Sequence, residues 1–462
     1  MPALGPRLVI AGTSSGVGKT TVATGMMAAL RRRGMTVGAA KVGPDFIDPG
    51  YHALATGRPS RNLDAWMCGT EAIAPLAARA GAGADLLVVE GVMGLFDGAG
   101  DPEGPPASTA QVATLLEAPV VFVVDAAAMS GSVAALVHGF ATFDPAVTVA
   151  GVVLNRVGSD SHESMLRDAL GPLGIPVLGT LRRSPELTWR DRHLGLVPVV
   201  EQAAEVRRSL LALASVVERS CDLDGLLRLA RSAPNRSVTA PPSASPRARA
   251  RLAVAAGPAF SFSYPDNLEL LEQAGAELVP FDPATDRALP PAVDGLYAGG
   301  GFPEVFVEHL AANRPLLDDV RRRVDGGLPT WAECGGLLWL SRSLDGQPLA
   351  GVVPAEARMT DRLTLGYRRA RFRVDTPLGP AGTDVRGHEF HYSSLEPVGD
   401  SLDWRGRTGS GRAGFAGPTL LASYVHLHLA AAPRLAESLV ACAAAPRRPA
   451  VGGRVNPGPG TS

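Results

Sequence analysis

The chain has 462 residues, a formal net charge of −1, and 46% hydrophobic but only 5% aromatic residues. Its length suits two or three domains with separate cores, and its near-neutral charge excludes a broad basic footprint for nucleic acid or an anionic membrane. Apolar runs are broken by Gly, Pro or charge before about 18 residues, which argues against a transmembrane helix.

Four cysteines without CxxC spacing, and an N-terminal MPALGPRLVIAGT without a long apolar h-region, predict a reduced, disulfide-free protein of the cytoplasm. Of 44 basic residues only Lys19 and Lys41 are lysine. A drift toward arginine is tolerable at solvated positions but not where a compact ammonium must fit, so both lysines mark candidate sites.

RLVIAG (7–12) predicts a strand that runs into a Gly-rich turn and then an amphipathic helix, TTVATGMMAALRRRG, closed by Gly34. The turn AGTSSGVGKTT contains Gly12, Thr13, Gly16, Gly18, Lys19, Thr20 and Thr21. Its glycines permit φ > 0, its backbone N–H groups converge, and the helix N-terminus adds a positive dipole, which together suit phosphate. Lys19 is expected at the β/γ-phosphates of ATP and Thr20 on Mg²⁺. The glycine falls one residue earlier than in G-x-x-x-x-G-K-[ST], a longer form that resembles the loop of dethiobiotin synthetase and related carboxylate-activating ATPases.

Strands are predicted at 36–42, 85–90, 119–124, 148–154 and 176–179, with helical patterns between most of them. This alternation argues a mostly parallel, doubly wound α/β sheet. Lys41 ends one strand, and Asp45 and Asp48 follow in a Pro-punctuated loop, where open α/β sheets bind ligands. Glu90 ends another strand, with Asp97 seven residues on. Glu90, Asp45 and Thr20 are the expected Mg²⁺ ligands, because hard cations prefer oxygen. Lys41, Asp48 and Asp97 are assigned to carboxylate activation and substrate, though aspartate also favours ordinary turns. Asn155 ends a further strand, where its amide could pair with a purine edge. Attack of a carboxylate on ATP needs charge neutralisation, which Lys19, Lys41 and Mg²⁺ would supply, and its product would be an acyl phosphate.

Residues 1–230 form the first expected domain, and the Pro-, Ser- and Arg-rich stretch 231–250 a linker. A second α/β domain covers 251–445, with a helix near 304–324, and residues 446–462 read as a disordered tail. Within the second domain TWAECGGLLW predicts a strand, a thiol on a tight turn and a helix, the geometry of a nucleophile elbow. The helix N-terminus is expected to lower the pKa of Cys334. The strand-like run LLASYVHLHLAA (420–431) offers His426 or His428 as base. Backbone N–H groups near Gly301 and at Gly335 would form an oxyanion hole. In GHEFHYS (387–393) the histidines lack HExxH spacing, so a structural or substrate-facing role is expected, with Arg386 a neighbour suited to carboxylates.

GTSSGVGKTT, KVGPDFIDP, RNLDAWM, VEGVMGLFDG, AECGG and ASYVHLHLA, in that order over about residues 7–445, resemble the cobyrinate/hydrogenobyrinate a,c-diamide synthases, class I glutamine amidotransferases of the cobyrinic acid type. The resemblance implies that Cys334 hydrolyses L-glutamine, that ammonia passes to the first domain, and that the a and c carboxylates of a corrinoid acid are amidated, each at the expense of one ATP. By motif match His426, two residues after Tyr424, is the base. Where the wider class has Glu two residues after this histidine, His428 stands, leaving a Cys-His dyad. Two alternatives are a cobyric acid synthase, whose Y-x-H-G signature is missing, and a ParA-like switch ATPase, in which Cys334 would have no purpose. A homodimer is left open.

Overall fold

The computed structural model describes residues 3–183, 203–238 and 249–446, with only the backbone of 203–205. Most of the expected linker, at 239–248, and all but the first residue of the expected tail lie outside them. The chain divides into two compact units, residues 1–243 with 264–266, and residues 244–263 with 267–462.

The first unit is built on a seven-stranded sheet. Its strands are β1 (Arg7–Gly12), β2 (Val37–Val42), β3 (Ser60–Leu63), β4 (Leu86–Glu90), β5 (Val120–Asp125), β6 (Val149–Val157) and β7 (Val177–Arg182). All neighbours are parallel, in the order β3-β2-β4-β1-β5-β6-β7. Every residue of β1, β2 and β4 is buried, as expected of strands covered by helices on both faces. Six of the seven strands lie within three residues of the expected bounds. Ser60–Leu63 escaped the pattern because SRNL carries no apolar alternation. The sheet orders β4 and β5 on opposite sides of β1, so the carboxyl end of β1 is a topological switch point, where such sheets bind ligands. Helix α1 (Lys19–Arg32) starts there and packs Val22, Met26, Met27 and Leu30 into the core.

The second unit has two sheets. Ala276–Phe281, Ala250–Ala255, Gly295–Ala298, Thr330–Glu333 and Leu420–Ser423 are parallel neighbours in that order, and Phe415–Gly417 adds an antiparallel edge. The other sheet centres on two long antiparallel strands, Glu356–Phe372 and Asp384–Glu396. Neither strand is among those expected from the sequence. Two expectations need correction. The helix near 304–324 is two helices, Val307–Ala312 and Arg314–Asp325, parted at Asn313, whose amide donates to Pro283 O and Asp286 O. The extended run 420–431 is also broken: a strand ends at Ser423, His426–Leu427 forms a two-residue strand in the other sheet, and Leu429–Ala431 is a 3₁₀ turn.

Candidate active site

At the end of β1 the chain turns through Gly16 and Gly18, both at positive φ (79° and 100°). At Gly18 a β-carbon would also lie 2.2 Å from the Asn155 amide nitrogen. Asn155, expected to read a base edge, donates Nδ2 to Val17 O at 2.9 Å, so at least one of its amide protons holds the phosphate loop. Lys19 Nζ curls onto Ser14 O (2.7 Å). Burial, then the charge of Lys41, lowers its pKa to about 8, a cost that an arriving polyphosphate would reverse. Asp97 accepts from Gly94 N (2.7 Å) and thus closes a turn, while its charge reaches Lys19.

Beneath the loop, β2 and β4 lie side by side with Lys41 opposite Glu90. Lys41 Nζ bonds Glu90 Oε1 (2.9 Å), Gly91 O (3.0 Å) and Asp48 Oδ2 (2.7 Å). Thr20 Oγ1 donates to Glu90 and lies 3.3 Å from Asp48 Oδ2. His52 Nε2 meets Glu90 Oε2 at 2.6 Å, and its Nδ1 meets Ser60 Oγ. Burial and Asp48 push Glu90 toward protonation, but Lys41 and His52 outweigh them and hold it below the usual carboxylate range. Burial disfavours a charged Lys41, yet Glu90 and Asp48 raise its pKa, so it stays an ammonium. Asp48, rather than Asp45, is the aspartate brought to Thr20. Asp45 caps the first turn of helix Ile47–Thr56, accepting from Ile47 N and Asp48 N, and burial with the Asp48 charge raises it to about 7. Sequence reasoning missed His52, which follows the motif KVGPDFIDP by three residues.

The second centre lies in the other unit. Cys334 adopts φ 46°, ψ −98° between strand Thr330–Glu333 and helix Gly335–Leu340. Such a backbone is strained for a non-glycine residue and is found where a site holds a side chain in place. The turn fits because Gly336 has no side chain: a β-carbon there would meet Ala298 O at 2.1 Å. Gly336→Ala is therefore expected to destabilise this unit by about 2–4 kcal/mol, read as a fall in its thermal midpoint. An unchanged midpoint would mean that the elbow tolerates a wider turn.

Gly336 N donates to Gly299 O (3.0 Å), and Gly300 pairs with Phe262 in both directions. The Gly301 nitrogen lies 3.0 Å from where a Gly335 β-carbon would be. The two expected oxyanion donors therefore neighbour each other beside the thiol. His426 packs on the same loop, its Cε1 2.5 Å from the position of a Gly300 β-carbon. It stacks on His388 (5.0 Å), and burial, then His388 and His391, drives its pKa far down, so the ring is neutral. His428 instead turns Nδ1 to cap Ala430 N at 3.4 Å. His391 stacks on Tyr424 at 3.7 Å, and Glu389 pairs with Arg368 at 2.9 Å.

One electrostatic expectation is reversed. The Cys334 pKa is raised, first by burial and then by Glu304, Glu333 and Glu389. A six-residue helix cannot offset desolvation and three carboxyl groups. Cys334 Sγ points at Phe390 O (3.8 Å), so the resting side chain is a thiol, and the base must act as substrate arrives.

A phosphate-loop unit and a cysteine-elbow unit in one chain define a glutamine-dependent ligase that forms amides at the expense of ATP. Residues 8–197 match the family described as CobQ/CobB/MinD/ParA nucleotide binding domain, and residues 251–433 the CobB/CobQ-like glutamine amidotransferase domain. The hydrogenobyrinate a,c-diamide synthase of Streptomyces coelicolor is 50% identical over 94% of this chain and 97% of its own length. That of Mycobacterium tuberculosis H37Rv is 47% identical over 95% and 98%. The cobyrinate a,c-diamide synthase of Syntrophotalea carbinolica is 45% identical over 94% and 98%. The chain belongs to the a,c-diamide synthase family. Among the described residues no helix is long and apolar enough to cross a membrane.

Proposed function

We propose that this enzyme amidates the a and c carboxylates of hydrogenobyrinate, with glutamine as nitrogen donor and one ATP per amide. The single observation that carries the reading is the pairing of a phosphate-loop unit with a cysteine-elbow unit in a chain 45–50% identical, nearly end to end, to proteins of that name. Residues 1–230 activate the acid and residues 251–445 release ammonia, a division supported by the two family matches.

In the first centre, the loop 12–21 holds the ATP phosphates, with Lys19 at the β/γ end. Thr20, Glu90 and Asp48 offer oxygen donors to Mg²⁺, with Asp45 next to them. The donor set fits: two buried carboxylates and a hydroxyl converge, and magnesium commonly takes one or two carboxylates and completes its shell from phosphate and water. The metal would supply charge neutralisation on the phosphates. Lys41, held between Glu90 and Asp48, adds a fixed positive charge as the substrate carboxylate attacks and an acyl phosphate forms. In the second centre Cys334 attacks the carboxamide of glutamine, and His426 takes the thiol proton and returns it to the leaving ammonia. The N–H groups of Gly301 and Gly335 receive the oxyanion. The resulting thioester is then hydrolysed to glutamate.

The test is ADP release dependent on substrate, with glutamine present, for hydrogenobyrinate and for cobyrinate in parallel. Turnover with hydrogenobyrinate is expected to exceed that with cobyrinate. ADP release with neither corrinoid acid would overturn the reading.

A further inference from the structure

We propose that Glu333 is a positioning residue of the glutamine-hydrolysing centre: it ties the backbone between His426 and His428 to the strand that leads into Cys334, and so fixes imidazole against thiol. The proposal rests on the assignment of Cys334 and His426 to glutamine hydrolysis.

The geometry is as follows. Glu333 is the last residue of strand Thr330–Glu333 and immediately precedes Cys334. Its side chain is buried, 2% exposed. Both oxygens are engaged: Oε1 accepts from Leu427 N at 2.7 Å, and Oε2 bonds the Tyr297 hydroxyl at 3.1 Å. Leu427 lies between the two histidines. Its strand is only two residues long and pairs along one edge with Gly387–His388. Along the other edge side chains replace the ladder, because Glu333 takes the Leu427 N–H and Asn267 Nδ2 donates to Leu427 O at 2.7 Å. Asn267 Oδ1 also accepts from Leu429 N (2.7 Å). A two-residue strand has little hold of its own, so these bonds decide where His426 sits.

The arrangement also accounts for the missing acid. Two residues after His426 the chain has His428, whose Nδ1 is spent on capping Ala430. A carboxyl group nevertheless reaches the histidine segment, from the nucleophile's strand rather than from the histidine's own. Because it grips backbone instead of the ring, it sets position rather than tautomer. Burial raises Glu333 to about 8, so at neutral pH it is mainly a neutral carboxyl, and glutamine is its close isostere.

The experiment compares Glu333→Gln, Glu333→Ala and Glu333→Leu in the full chain, measuring corrinoid-dependent ADP release with glutamine and with ammonium salts. Removing the acceptor (Ala or Leu) is expected to cut the glutamine-dependent kcat by about 10²-fold, since displacement of a catalytic group by about 1 Å costs that much. The KM for glutamine and the ammonium-dependent rate are expected to stay near wild type, and Glu333→Gln to retain most activity. Leucine fills the volume that alanine leaves empty and guards against simple unfolding. Full glutamine-dependent kcat in the Ala or Leu variant would overturn the proposal. So would parallel loss with both nitrogen sources, or a Gln variant as poor as Leu. A Cys334→Ala chain that still used glutamine would instead sink the assignment beneath it.

Discussion

Cys334→Ser is expected to lose at least about 10³-fold of the glutamine-dependent rate, the loss typical of removing a covalent nucleophile, while keeping its ammonium-dependent rate. The contrast arises because Cys334 has no part in the nucleotide centre: its hydrogen-bond partners, Ser423 O and Leu338 N through its backbone and Phe390 O through Sγ, lie in the second unit. Serine preserves the backbone turn and nearly the volume, so the elbow should survive. ADP release assayed with each nitrogen source, at alkaline pH where more of the ammonium is free amine, separates the two outcomes. Loss of both activities would mean that ammonia is not made and used at separable centres. The raised thiol pKa adds a second readout. With less thiolate at a given pH, alkylation of Cys334 by iodoacetamide in the absence of glutamine should be slow at neutral pH and accelerate as the pH rises.

The phosphate loop, Lys41, Glu90 and Cys334 were legible because each is a departure from its surroundings. Two lysines stand among arginines, an acid ends a run of Leu and Val, and a thiol precedes two glycines. Periodicity placed the strands of the first unit for the same reason, since a strand buried on both faces is a nearly unbroken apolar run. What failed was information held in three dimensions. Whether Asp45 or Asp48 faces Thr20 depends on which one caps the helix Ile47–Thr56, and spacing in a Pro-broken loop does not encode that. The run 420–431 looked continuous because Leu, Val and Ala occupy strand and 3₁₀ turn alike. Its break at Tyr424–Val425 carries His426 into the second sheet. The thiol's electrostatics were misread for a related reason: Glu304 and Glu389 are distant in sequence and approach only in the fold. Glu333 did leave a signal, an acid in a four-residue strand otherwise composed of Thr, Trp and Ala. Its neighbour Cys334, a thiol ahead of two glycines, carries the stronger signal.

Glu90→Gln is expected to behave in the opposite way to Cys334→Ser, lowering the amidation rate by about 10³-fold with either nitrogen source, at the upper end of what a single preorganised electrostatic contact contributes. Glu90 is fully buried and joins Thr20, Lys41 and His52 in one network. Glutamine there retains one carbonyl acceptor but replaces the other oxygen with a donor facing His52 or Lys41, and it removes a charge that Mg²⁺ would bind. Folding should largely survive, since Lys41 keeps Asp48 at 2.7 Å and is not left as an unpaired buried cation, the situation that costs about 3–5 kcal/mol. Glutamine hydrolysis measured alone, as glutamate release, should be retained, because none of Glu90's partners belongs to the second unit. Full ammonium-dependent activity in this variant would remove Glu90 from acid activation and leave the network as scaffolding. Loss of amidation with glutamate release retained would instead place it at the acyl-phosphate step.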